Sequence, residues 1–91
     1  MNIYPRPPGC STAPYHAFNA LRVVGAAYGL ADVTYQVQSM VRNNRLDVVA
    51  SNGVFGDTWD GNRKTLVVVY QFGNGPYRTE FVTEGRTLHV A

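Results

Sequence analysis

The 91-residue chain has a single cysteine, a single tryptophan, and Lys64 as its one lysine. Cys10 alone excludes an intramolecular disulfide and any cysteine-based zinc site. It leaves either an incidental free thiol or a bridge between two chains in an oxidising compartment. Clustered basic charge is also missing. The formal net charge of +2 comes from eight basic and six acidic residues spread along the chain. Nucleic-acid binding needs a basic footprint that neutralises several phosphates, so no nucleic-acid partner is expected. Nor does any apolar run approach the ~20 residues that span a bilayer. The N-terminus carries Pro5, Pro7 and Pro8 where a secretory signal would keep an apolar core. No membrane partner is expected, and the compartment is left open. Nucleophile-base motifs are missing too, and Gly25, Gly29 and Gly53 have the wrong spacing for a phosphate loop or dinucleotide fingerprint. His16 and His89 sit at opposite ends of the chain, with no cysteine partner to complete a metal site.

Proline and glycine divide what remains. Residues 1–15 hold four of the five prolines and read as an extended Pro-rich segment, which Tyr4 and Tyr15 pin to the domain or which stays an unstructured leader. Residues 16–91 read as one β-rich domain, large enough for a modest core. In the first strand, alternation puts Leu21, Val23, Gly25 and Ala27 on one face and Arg22, Val24, Ala26 and Tyr28 on the other. The period then changes. Val33, Val37, Met40 and Val41 form one helical stripe, predicting a helix over 32–44 with Asp32 as its N-cap and Asn43-Asn44 as its end.

Beyond it, Leu46, Val48 and Ala50 alternate inward as a strand. Lys64 to Phe72 is apolar enough for a central strand covered on both faces. Gly73-Asn74-Gly75-Pro76 turns the chain into a strand over 77–83, with Tyr77, Thr79 and Phe81 on one face and Arg78 and Glu80 on the other. Glu84-Gly85 turns it again into a last strand with Leu88 and Val90 inward, predicting a three-stranded meander. The fold class is mainly β: a small antiparallel β-sandwich-like domain of about five strands, with one short helix between the first and second. An oligonucleotide-binding barrel is disfavoured, because its helix falls later in the strand order.

The chain's best polar chemistry lies in the connection Asn52–Asn62, with its glycines, its two aspartates and Trp59. Asp57 and Asp60 are the closest pair of carboxylates. As a glycosidase pair they would need a cleft that so small a domain has little material to shape. As calcium ligands, with Asn62, they miss the spacing of the known loop and lack its closing Glu. As turn residues, each caps its own backbone. Trp59 either offers a flat apolar face to a sugar ring or peptide, or folds back with Phe55 as a plug on the end of the sheet.

Several of these residues also carry a resemblance. Tyr28-Gly29, then Asp32-Val33-Thr34 and Val41, then Phe55-Gly56-Asp57 with Gly61, the run Lys64 to Tyr70, and Glu84-Gly85-Arg86 together resemble the uncharacterised C-terminal β-rich domain of mitochondrial DnaJ-type co-chaperones, and related stand-alone fungal and bacterial modules. The resemblance covers roughly residues 20–90. This chain has Thr58 where that family commonly has proline, and Asp60 just before Gly61. The resemblance implies a non-catalytic accessory module, without a J-domain, and brings no ligand or catalytic residue with it.

The sequence therefore predicts a non-enzymatic binding module with neither metal nor cofactor. The lectin-like form of that expectation places Asp57, Trp59, Asp60 and Asn62 around a glycan. The alternative is a protein-interaction or assembly domain acting through a strand edge or a helix face. A homodimer is the expected closed oligomer.

Overall fold

The computed structural model describes residues 20–91, which form six strands and two short helices. In order these are β1 (Leu21–Tyr28), β2 (Ala31–Asp32), α1 (Thr34–Ser39), β3 (Leu46–Val49), α2 (Asn52–Phe55), β4 (Thr65–Phe72), β5 (Arg78–Thr83) and β6 (Thr87–Val90). One sheet has the order β2-β1-β4-β5 and the other pairs β3 with β6, every pairing antiparallel. The mainly β, two-sheet character matches the sequence expectation. The Pro-rich segment with Tyr4, Cys10 and Tyr15, and His16 after it, lies outside the described residues.

The core forms where the two sheets and the helices meet. Leu21, Val23, Ala26 and Tyr28 of β1 lie beside Leu66, Val68 and Tyr70 of β4 on one face of the larger sheet, and Leu46, Val48, Leu88 and Val90 of the smaller sheet complete the core. Alternation alone gave the wrong partition of β1. The register shifts between Val23 and Gly25, so the inward set jumps from Val23 to Ala26 and leaves Ala27 outside. A bulge inserts one residue and reverses every later side chain.

The helix is shorter than the stripe predicts. Val33 and Val37 are buried and Met40 and Val41 half-buried, as the pattern requires. The helix itself spans six residues, and Val33 rather than Asp32 sits at its N-cap position. Asp32 belongs to the two-residue β2, where its carboxylate accepts from the Thr34 amide at 3.0 Å. The helix thus follows β2, the second strand, and does not precede it. Asn43 and Asn44 do take positive φ, at 52° and 61°, but they form a tight turn bridged by Arg42 and Arg45.

The predicted meander is broken at its last step. β5 pairs with β4, but β6 crosses to β3. Gly85, at φ 94°, donates its amide to Ala50 O at 2.7 Å, and Ala50 N donates to Arg86 O at 2.9 Å. Those bonds dock the turn on the end of β3 and hand the chain to the second sheet. β4 is likewise buried on one face only. Leu66, Val68 and Tyr70 point into the core, while Thr65, Val67 and Val69 are half-exposed on the other face.

Candidate functional site

The connection over 51–64 is more ordered than a loop of glycines and aspartates suggests. Ser51 caps α2, its hydroxyl accepting from Val54 N at 3.2 Å, and one helical turn delivers Phe55 into the core. The Phe55 ring lies 5.1 Å from that of fully buried Tyr28, and the Tyr28 hydroxyl donates to Asn52 Oδ1 at 2.7 Å. Burial pushes the Tyr28 phenol up from its ordinary pKa, with the Glu84 charge adding to the effect. Gly56 then turns the chain at φ 86°.

Asp57 meets an ammonium group that the sequence reading passed over. Lys64 is 2% exposed, and its Nζ lies 2.7 Å from Asp57 Oδ1 and 3.7 Å from Glu84 Oε1. It also donates to Asn62 O at 2.9 Å, while the Lys64 amide donates to Glu84 Oε1 at 3.0 Å. A buried ammonium group persists only when its donors are used in this way. The Lys64 ammonium holds the Asp57 carboxyl below the usual carboxylate range, and Asp57 in turn raises Lys64. A signal for Lys64 was present in the sequence: it is in phase with Leu66, Val68 and Tyr70, so alternation alone aims it inward.

Next to this pair the backbones pack tightly. Thr58 Oγ1 donates to Tyr28 O at 2.6 Å, and Gly29 fits beneath it at φ 62°. A Cβ at Gly29 would lie 2.4 Å from Thr58 Oγ1 and 3.1 Å from Lys64 Cγ. Trp59 and Asn62 close a turn, with Asn62 N donating to Trp59 O at 3.0 Å and Gly61 at φ 79°.

The four sequence-selected residues therefore sit on one projecting turn in different roles. Asp57 holds Lys64. Trp59 is 43% exposed, so it is neither the full plug nor a free platform, and the plug role falls to Phe55. Asp60 and Asn62 are exposed, with Asn62 Nδ2 donating to Asp60 O at 3.2 Å. The Lys64 ammonium occupies Asp57 Oδ1. Among the described residues, no three His, Cys, Asp or Glu side chains gather as a metal site.

A second candidate lies on the outer face of the four-stranded sheet. Ala27, Val67 and Phe81 are consecutive cross-strand partners there, as are Gly25, Val69 and Thr79. The small residues on β1 leave a shallow apolar depression of about 420 Å³ lined by Gly25, Ala27, Leu30, Val67 and Val69. Leu30 is 70%, Phe81 68% and Tyr77 66% exposed.

The two ends of this sheet differ. Along β1, side chains satisfy amides that no strand reaches: Asn44 accepts from Leu21 N, Gln38 from Val23 N and Thr34 from Ala26 N. Among the described residues, no strand pairs with the far side of β5, where Arg78, Thr79, Glu80 and Phe81 are all exposed. Among these residues no helix is long and apolar enough to cross a membrane. Compared with protein-family models, curated proteins and solved structures, the chain matches none.

Proposed function

We propose that the chain is a non-enzymatic interaction module that binds a protein partner through the outer face and open edge of its four-stranded sheet. The observation that carries this is the exposure of Tyr77 and Phe81, two large aromatic side chains at a strand edge that no strand among the described residues pairs. An edge strand with free amides and carbonyls is a template for another strand, and exposed aromatics supply the apolar anchor of a contact. The resemblance to the C-terminal domain of DnaJ-type co-chaperones supports the same accessory role.

Mass in solution followed by affinity capture with purified chain tests it. Phe81→Lys is to abolish self-association, or capture of a specific partner, while leaving the circular-dichroism spectrum unchanged. A strictly monomeric protein that retains no partner, or a partner held equally by the variant, would overturn it.

The half-exposed Trp59 favours a second proposal, the lectin-like one. In it Trp59 stacks on a sugar ring, and Asp60 and Asn62 bond its hydroxyls, with Asp57 reduced to holding Lys64. A glycan array paired with tryptophan fluorescence decides it. Binding lost in Trp59→Ala supports the proposal; an empty array with unmoved emission ends it.

A further inference from the structure

We propose that the partner on the β5 edge is a second copy of this chain, joined by antiparallel β5–β5′ pairing centred on Thr79. The inference rests on the interaction-module reading and adds the identity of the partner and the register.

Backbone parity comes first. Glu84 N donates to Lys64 O at 2.8 Å, next to the Thr65–Thr83 pair, and Gly29 N donates to Thr65 O from the opposite side. Hydrogen-bonded and non-hydrogen-bonded pairs alternate along an antiparallel ladder. Arg78, Glu80 and Val82 therefore direct their backbone groups at β4, and Thr79 and Phe81 direct theirs at the edge that no strand among the described residues pairs. Tyr77, one residue before the strand, stands two and four positions from Thr79 and Phe81 and so shares their sequence phase.

The sequence of this edge is self-complementary about Thr79. A two-fold axis there sets Thr79 against Thr79 of the second copy and makes two Tyr77–Phe81 pairs and two Arg78–Glu80 pairs. The aromatic pairs fall on the outer face. The charge pairs fall on the inner face, in the non-hydrogen-bonded positions where side chains approach most closely. About six backbone hydrogen bonds follow from the three hydrogen-bonded pairs. The exposure of Arg78, Glu80, Tyr77 and Phe81 is then the exposure of one half of an interface.

Neighbouring registers fail on named residues. Centring the axis on Arg78 opposes two arginines, and centring it on Glu80 opposes two glutamates. Centring it on Phe81 sends Arg78 to Glu84, which already accepts from the Lys64 amide, and meets Thr83 O, already bonded by Arg86 N. Like charges directly opposite destabilise a pair, so the Thr79 register stands alone. The product is one continuous eight-stranded sheet with isologous symmetry, and an edge that small places association in the weak, concentration-dependent class.

The test is a charge swap on the full 91-residue chain. Sedimentation from micromolar to millimolar concentration is to show the wild type rising from one chain to two. Glu80→Arg and Arg78→Glu are each to remain single chains, with wild-type thermal unfolding showing that both fold. Mixed in equal amounts the two variants are to pair, because every opposed charge is then of opposite sign. A wild type that stays monomeric, single variants that dimerise unchanged, or a mixture that fails to pair would each overturn the proposal. A monomeric wild type that still captures another protein through Phe81 overturns the second-copy inference alone. A monomeric wild type that captures nothing overturns the interaction module as well.

Discussion

Gly29→Ala is the sharpest probe of how the projecting connection is held to the sheet. At φ 62° the alanine carries left-handed backbone strain of about 1–2 kcal/mol. Its Cβ would also lie 2.4 Å from Thr58 Oγ1, a contact no real side chain tolerates. Thr58 is short and β-branched, so it escapes only by rotating its hydroxyl away from Tyr28 O. That bond, 2.6 Å long, contributes about 0.5–1.5 kcal/mol. The sum is roughly 1.5–3.5 kcal/mol, and at about 4–8 °C per kcal/mol for a domain of this size the midpoint falls by at least about 6 °C. Urea and thermal unfolding measure it. Thr58→Ala isolates the steric part, because in the double variant the overlap with the hydroxyl is gone and only the backbone strain and the lost bond remain. The double variant is therefore to cost about 1 kcal/mol less than the sum of the singles. A Gly29→Ala protein within about 0.5 kcal/mol of wild type, or strictly additive singles, would refute this reasoning.

Two further outcomes follow from the same region. Phe55→Ala removes the buried ring beside Tyr28 and is to cost about 3–5 kcal/mol in urea unfolding, whereas half-exposed Trp59→Ala costs no more than about 1.5 kcal/mol. Equal effects would contradict the division of labour between the two aromatics. In the pH profile, Asp57 and Asp32 titrate below the ordinary range because of Lys64 and Thr34 respectively. Their stabilisation is complete above the ordinary carboxylate range and is lost as pH falls through the lowered values. Lys64, raised by Asp57, and Tyr28, raised by burial, act in the opposite sense. Their contributions are complete below their ordinary values and are lost as pH rises through the raised ones. Asp57→Asn is to flatten both limbs of stability against pH, and an unchanged acid limb in Asp57→Asn with Asp32→Asn would contradict it.

Much of the β architecture was legible because side-chain period reports burial. Leu46, Val48, Leu88 and Val90 point inward as alternation requires, and Val33 and Val37 bury as their spacing does. What escaped depends on contacts distant in sequence. Glu84-Gly85 carries ordinary hairpin chemistry, and only the bonds from Ala50 divert β6 to β3. The bulge at Val23–Gly25 is fixed by Gln38 and Thr34, whose side chains take the amides of Val23 and Ala26. In the candidate site, Trp59 and the aspartates drew the eye because their chemistry is local. The Asp57–Lys64–Glu84 cluster needed the fold to bring Glu84 against the 51–64 connection. The alternation of Tyr77 to Phe81 was readable from the start, but not that both its faces are exposed at an edge that no strand among the described residues pairs.

The most direct measurement of the central claim is amide hydrogen exchange along β5 at low and high protein concentration. Glu80 and Val82 amides, bonded to β4, are to be protected at both. Thr79 and Phe81 amides are to exchange freely in dilute protein and become protected as the second copy pairs with the edge. Thr79 and Phe81 amides that exchange equally fast at both concentrations would contradict the account.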